Sequence, residues 1–237
     1  MIARRTVRPA ELSATADATL DPAVLVECVD LARTYGSGAA AVVAVHGATC
    51  RIKPGARVAL TGPSGSGKST LLHLFAGLEH PTTGTIDWPA LPRRTEIGLV
   101  FQGPSLLPAL DVTENVALPL LLAGHRPDDA TERALQAMSR LGIDELAGSL
   151  PDELSGGQAQ RVAIARVLAA RPLLILADEP TGQLDRHTAD RVLSVLLSTA
   201  DEVGAALVIA THDPTVAGRL AEQWQMRDGR LDRGRDR

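Results

Sequence analysis

Apolar and polar positions along the chain alternate between two rhythms, one close to two residues and one close to three and a half. VLVECVDLARTY and AVVAVHGATCRI show mixed alternation and predict strands. ARVALTG predicts a strand that runs into a Gly/Ser loop and then into the helical stretch KSTLLHLFAGL, and EIGLVFQ predicts another short strand. A helix-rich region comes next, with VTENVALPLLLAG and PDDATERALQAMSRLGI. The latter sets Ala134, Leu135, Met138 and Leu141 on one face. QAQRVAIARVLAA predicts a long helix to Ala170. The strand LLILADEP is next, with Leu173 to Leu176 as its buried run. Helix HTADRVLSVLLSTADEVG, strand ALVIATH and one further strand complete the pattern. Strands separated by helices imply an α/β core with a parallel sheet.

Composition narrows the class. Residues 1–22 form a polar, Ala/Thr-rich extension expected to be disordered, ahead of one domain over 23–231 and a polar tail at 232–237. No apolar run reaches the length of a membrane span, and the arginine-containing N-terminus has no apolar signal region. The expectation is a soluble, cytoplasmic chain whose membrane role, if any, comes through a partner. A net charge of −4 and an aromatic content of 2% argue against a nucleic-acid face or a base-stacking platform. Cys28 and Cys50 make no CxxC pair and read as small core hydrophobes in a reducing compartment.

GPSGSGKST carries the clearest chemistry: Gly62, Pro63, Ser64, Gly65, Ser66, Gly67, Lys68, Ser69 and Thr70 fit the G-x-x-x-x-G-K-[ST] pattern between a strand and a helix. The glycines let consecutive N–H groups converge on phosphate oxygens, and the helix from Lys68 adds its positive end. Lys68 is expected to reach the β- and γ-phosphates, and the Ser69 hydroxyl to ligate Mg²⁺. LLILADEP delivers Asp178 and Glu179 at a strand's carboxyl end, where ligands of open α/β sheets bind. Asp178 is placed to hold Mg²⁺ through water, and Glu179 to polarise an attacking water as general base. His212 closes another strand and is a candidate donor to the γ-phosphate. Gln102, after EIGLVF, is a candidate contact for Mg²⁺ or the attacking water.

LSGGQ sets two glycines at the start of a helix, at a cost in helix stability that an ordinary N-cap does not require. Ser155 can cap that helix, while Gly156 and Gly157 leave free N–H groups and a positive dipole end open to an anion.

Taken in order, the phosphate loop, Gln102, LSGGQ at Leu154, Ser155, Gly156, Gly157 and Gln158, LLILADEP, TGQLD and His212 resemble the ATP-binding-cassette ATPases from about Val24 onward. The resemblance implies a phosphate-loop α/β fold with a parallel-sheet core, a small antiparallel subdomain and a helical subdomain at about 103–159. It also implies ATP and Mg²⁺ as ligands, Tyr35 as the aromatic that stacks on adenine, and Asp185 in a loop that communicates across a dimer. Such cassettes pair as nucleotide-sandwich homodimers in which the signature of one copy caps the γ-phosphate held by the other, and they drive separate transmembrane permease subunits. VFQGPSLLPALDVTENVALPLLLAG with TGQLD resembles the branch serving macrolide exporters, lipoprotein-release complexes and the cell-division pair. That branch often has Asn at Gln183 and Gln at Ala159.

A cassette acting on DNA or ribosomes is the alternative. The stretch between Gln102 and Ser155 accommodates a helical lobe but no long coiled-coil arm, and the chain holds one cassette with an acidic balance. A catalytically dead regulatory cassette would lack Glu179 or His212, and both are present.

Overall fold

The computed structural model describes residues 23–91 and 96–233; the extension at 1–22 and tail residues 234–237 lie outside them. In chain order the strands are β1 (Val26–Tyr35), β2 (Val42–Ile52), β3 (Arg57–Thr61), β4 (Thr83–Asp87), β5 (Ile97–Val100), β6 (Leu174–Asp178), β7 (Ala206–Thr211), β8 (Glu222–Arg227) and β9 (Arg230–Asp232). The helices are α1 (Lys68–Phe75), α2 (Val112–Leu122), α3 (Pro127–Leu141), α4 (Gly156–Ala169), α5 (Arg186–Val203) and α6 (Pro214–Ala217). β5-β6-β7-β3-β8 form a parallel sheet, to which β9 adds antiparallel, and β2-β1-β4 form a separate antiparallel sheet.

The two-residue period of the strands divides the core into two layers. Leu174 and Leu176 of β6, with Ala206 and Val208 of β7, face α1 and the antiparallel sheet. Their neighbours Ile175, Ala177, Leu207 and Ile209 face α5 and the helices of the other lobe. Strands buried on both faces read as continuous apolar runs, which is why LLILA and ALVIA lack a polar beat. The run starts one residue later than its sequence indicates. Leu173 precedes β6 and is 37% exposed, its N–H donating to Glu96 O instead of lying inside the strand.

α2, α3 and the first part of α4 build the helical lobe, and α4 continues past residue 159 to pack against the sheet. α3 has Pro127 at its start, Asp128 and Asp129 in its first turn and Gly142 in the left-handed conformation at its end. Its buried stripe is Ala130, Ala134, Ala137, Met138 and Leu141. Leu135 is not on it: one residue on from Ala134 it is turned by about 100° and stands exposed.

The C-terminal stretch departs from the single strand expected. MRDGRLD folds as the β8–β9 hairpin, turning at Asp228 and Gly229, both at positive φ. Cys28 and Cys50 are free, buried and directly opposite one another on β1 and β2.

Asn115 is the buried polar residue that joins α2 to the loop before it. Its Oδ1 accepts from Leu107 N at 2.8 Å, and its Nδ2 donates to the carbonyls of Leu107, Leu110 and Asp111 at 2.9–3.1 Å. Replacing it with an apolar residue of similar size strands Leu107 N and Leu110 O, while Leu107 O keeps the bond from Leu110 N and Asp111 O the bond from the backbone N–H of residue 115. Asn115→Leu is expected to lose about 3 kcal/mol or more and to lower the melting temperature by roughly 6–12 °C. A thermal melt followed by circular dichroism checks this, and a shift of under 2 °C would contradict it.

Candidate active site

Four neighbouring strands of the parallel sheet, β5-β6-β7-β3, end at the same edge, and each delivers one group there. Gln102 follows β5, Asp178 ends β6 with Glu179 next, His212 follows β7, and the Gly62–Gly67 loop follows β3. Residues far apart in sequence thus meet at the carboxyl ends of adjacent strands. A cavity of about 680 Å³ is lined by Pro63, Ser64, Gly65, Gly67, Lys68, Ser69, Thr70, Gln102, Asp178, Glu179 and His212, with Val42, Val43, Ala44, Gly182 and Gln183 completing it.

The loop is shaped to present backbone. Gly67 caps α1 at φ 100°, and no side chain satisfies the helix's first N–H groups, which stay open to an anion. Lys68 is buried and folds its Nζ back to donate to Gly62 O at 2.8 Å and Pro63 O at 3.0 Å. Gly62 and Ser66 stand behind the loop rather than in the cavity wall.

Asp178 is a buried carboxylate, 5% exposed, held at the end of β6. Glu179 adopts a left-handed backbone at φ 47°, a conformation costing a non-glycine residue about 1–2 kcal/mol. Its N–H donates to Ala210 O at 2.9 Å, and its Oε1 lies 2.7 Å from His212 Nδ1. With Glu179 ionised, the shared proton sits on Nδ1. Donation from Nε2 to a phosphate then requires the doubly protonated ring.

The signature segment lies elsewhere. None of Leu154, Ser155, Gly156, Gly157 and Gln158 lines the cavity. Ser155 Oγ accepts from Gln158 N at 3.3 Å while Gln158 Oε1 accepts from Ser155 N at 2.8 Å, a reciprocal capping box that gives Gln158 a structural task. A side chain on Gly156 would begin 3.2 Å from Gln183 Oε1, and one on Gly157 3.3 Å from Leu184 Cδ2. The TGQLD segment of the same chain therefore crowds the signature glycines. Asp185 caps α5, accepting from the Thr188 hydroxyl at 2.6 Å and from Thr188 N at 3.1 Å. Those two bonds hold its carboxyl below the usual carboxylate range.

Tyr35 stands outside the cavity wall. Arg33 Cζ covers its ring at 4.7 Å and is itself paired with Glu79 at 2.7 Å. Val42, directly opposite Tyr35 on β2, does line the cavity and is 63% exposed. Val42, Val43 and Ala44 do not stand out in the sequence. Their apolar run reads as ordinary strand, and only its exposure at the cavity mouth sets it apart.

A parallel sheet with a glycine-rich loop after one strand, an Asp-Glu pair after another and a helical lobe defines a phosphate-loop nucleotide-binding domain. The family model described as ABC transporter matches residues 45–182. The ATP-binding cassette MJ0796, solved as a post-hydrolysis dimer bound to ADP and Pi, is 34% identical over 90% of this chain and 100% of its own, with a TM-score of 0.82. A further dimeric structure of MJ0796, described as a bacterial ABC transporter cassette, is 36% identical over 88% and 97% of the two chains at a TM-score of 0.81. CbiO1 from Clostridium perfringens, part of the ABC transporter complex cbiONQ, is 31% identical over 88% and 87% at 0.75. The chain belongs to the ABC transporter family.

The loop geometry separates two glycines that the sequence pattern treats alike. A Cβ on Gly67 would overlap the backbone oxygen of Ala44, whereas one on Gly65, at φ 76°, meets nothing within 4 Å. Gly65→Ala is expected to cost only the left-handed strain, about 1–2 kcal/mol. Gly67→Ala adds a backbone clash and should lose at least about 2 kcal/mol more. Urea denaturation of the two variants side by side checks the order; equal midpoints would contradict it.

Proposed function

We propose that the chain is the ATP-hydrolysing subunit of a membrane transporter, or of a transporter-like complex that transmits force across a membrane, and that it works as a homodimer. The observation that carries this reading is the division of the motifs. The phosphate loop, Gln102, Asp178, Glu179 and His212 line one cavity, and the signature residues 154–158 lie outside it. A signature excluded from its own chain's cavity keeps the Gly156 and Gly157 amides, which the Ser155–Gln158 capping box leaves free, available for a nucleotide held by a second copy. The dimeric structures of MJ0796 support such pairing.

Each residue then has a task. The loop amides and Lys68 hold the β- and γ-phosphates, and the Val42–Ala44 strand end covers the apolar part of the nucleotide, with Tyr35 at its rim. Glu179 orients a water toward the γ-phosphorus with Oε2 and takes up its proton. His212 fixes Oε1 and, when doubly protonated, steadies the γ-phosphate oxygens. Water adds to phosphorus as the bond to ADP breaks, leaving ADP and inorganic phosphate. The donor set also fits Mg²⁺. Ser69, Asp178 and Gln102 offer oxygens in one cavity, and two or three protein oxygens completed by phosphates and water are what this ion takes. Bound there, Mg²⁺ would neutralise charge on the β- and γ-phosphate oxygens. The Ser155 hydroxyl and the Gly156 and Gly157 amides at the start of α4, offered by a second copy, would close the site over the γ-phosphate.

Among the described residues no helix is long and apolar enough to cross a membrane. The reading therefore assigns the spans to separate permease subunits, with this chain bound at the inner face of the cell membrane. The Val100–Gly124 segment and TGQLD favour the macrolide-export and lipoprotein-release branch, with Gln183 and Ala159 as its local departures.

Glu179→Gln keeps the cavity's shape while removing the base. It is expected to lower hydrolysis at least about 100-fold and to run as a dimer on a sizing column with MgATP, reverting to monomer with ADP. A monomer saturated with ATP would overturn the paired site. Ser155→Arg, at the open end of α4, is expected to leave MgATP affinity of the monomer within about two-fold while abolishing dimerisation and turnover. Loss of affinity in the monomer would mean that the signature acts on its own chain's nucleotide.

A further inference from the structure

The loop that carries Gln102 into the helical lobe is bonded to one element on both sides of that residue, and the element is α4. Before Gln102, the carbonyl of Phe101 accepts from Gln160 Nε2 at 3.4 Å. After it, Arg166 donates to Ser105 O at 2.9 Å and to Pro104 O at 3.5 Å. Ser105 is held at φ 46°, a conformation an L-residue adopts only when its surroundings impose it. Arg166 is half-buried, and among the described residues no carboxylate pairs with it. A guanidinium taken out of water ordinarily finds an acid; this one spends its donors on two backbone carbonyls of a single loop. Burial lowers its pKa, so the placement is costly to the charge. Gln160 is 1% exposed, and its Oε1 has no partner, so the amide is oriented by the Phe101 contact alone.

Both side chains project from the helix capped by Ser155 and opened by Gly156 and Gly157, Gln160 one turn in and Arg166 less than two turns further. We propose that Gln160 and Arg166 are positioning residues for hydrolysis, which hang the Gln102 loop from the signature helix so that the group offered to a chain's own Mg²⁺ or attacking water and the groups offered to its partner's γ-phosphate move as one unit. The inference rests on the paired site proposed above, and it adds that pairing and Gln102 placement are coupled inside each chain. A tether of this kind acts on the assembled site and leaves the first binding of nucleotide to the loop untouched.

The test uses the full chain and three variants: Arg166→Met, which keeps the apolar stem and removes the donors; Arg166→Lys, which restores one; and Gln160→Leu. Affinity of the monomer for a fluorescent ATP analogue with Mg²⁺, steady-state phosphate release and amide hydrogen exchange over residues 102–107 are measured below each variant's melting temperature. Arg166→Met is expected to hold the monomer's affinity within about two-fold and lower kcat about ten-fold, with faster exchange over the loop. Arg166→Lys should recover part of the turnover, and Gln160→Leu should fall between them. Unchanged kcat in Arg166→Met overturns the proposal, as does a loss of monomer affinity as large as the loss of kcat. If Arg166→Met fails to fold, unchanged turnover in both Arg166→Lys and Gln160→Leu overturns it equally. A parent chain that hydrolyses ATP without ever pairing sinks the paired site itself, an outcome read before any variant is compared.

Discussion

The phosphate loop is crowded from behind by backbone, and that crowding ties the chain's separate parts to one site. Met226 O presses on Gly62 and Ala44 O on Gly67, closer than any Cβ allows. Gly229 N donates to Ser66 O at 3.1 Å, and Gly229 O accepts from His46 N at 2.8 Å. The loop is therefore backed on one side by the β8–β9 turn and on the other by β2, a strand of the antiparallel sheet. Neither element belongs to the four strands that carry the chemistry. They fix where the loop's amides point before any phosphate arrives, the kind of prior organisation that lets fixed dipoles stabilise charge without rearranging.

Much of this arrangement is legible in the sequence, and the boundary between legible and hidden has a physical cause. Strand-loop-helix order around GPSGSGKST and apolar runs ending in ADE and TH announce both the parallel sheet and which residues sit at its carboxyl edge. That sheet is encoded locally, by continuous apolar runs and by the polar residues at their carboxyl ends. The hidden features are pairwise. TGTID, now β4, is too short and polar to read as a strand until β1 supplies its partner. The β8–β9 turn looks like a charged tail because its sequence alternates Arg and Asp. Its reason to fold is the backbone of Ser66 and His46, more than a hundred residues away. Leu135 falls off the predicted stripe because the buried positions 130, 134, 137, 138 and 141 share one side of the helix and the step from Ala134 turns Leu135 about 100° away from it. That side packs on both α2 and α4, with three alanines on it.

The capping residues show the same division. Ser155 is legible as an N-cap, and the S-x-x-Q spacing to Gln158 is that of a capping box, which the structure forms. The family resemblance assigns Asp185 to a loop between copies. In the chain it has a local task at the start of α5, and the two roles are compatible because its cap uses the carboxylate and leaves TGQL upstream exposed or half-buried.

The glycine pair of LSGGQ is where local and long-range explanations meet. Bare backbone there has a reason inside the chain, since Gln183 and Leu184 leave little room for a side chain at either glycine. It has another in the proposed pairing, where a triphosphate must approach the first amides of α4. The two cannot be separated by asking what a side chain would hit, because it would crowd Gln183 or Leu184 in one and the approaching triphosphate in the other. They are separated by cavity membership. Gln183 lies in the nucleotide cavity wall and also against Gly156, yet Gly156 itself is outside that wall. The cis contact thus brings the signature up to the edge of its own site and stops it there. Contact with Gln183 and Leu184 accounts for the tight space at the glycines, and in the proposed pairing the free amides of Gly156 and Gly157 are what the nucleotide of a second copy would meet.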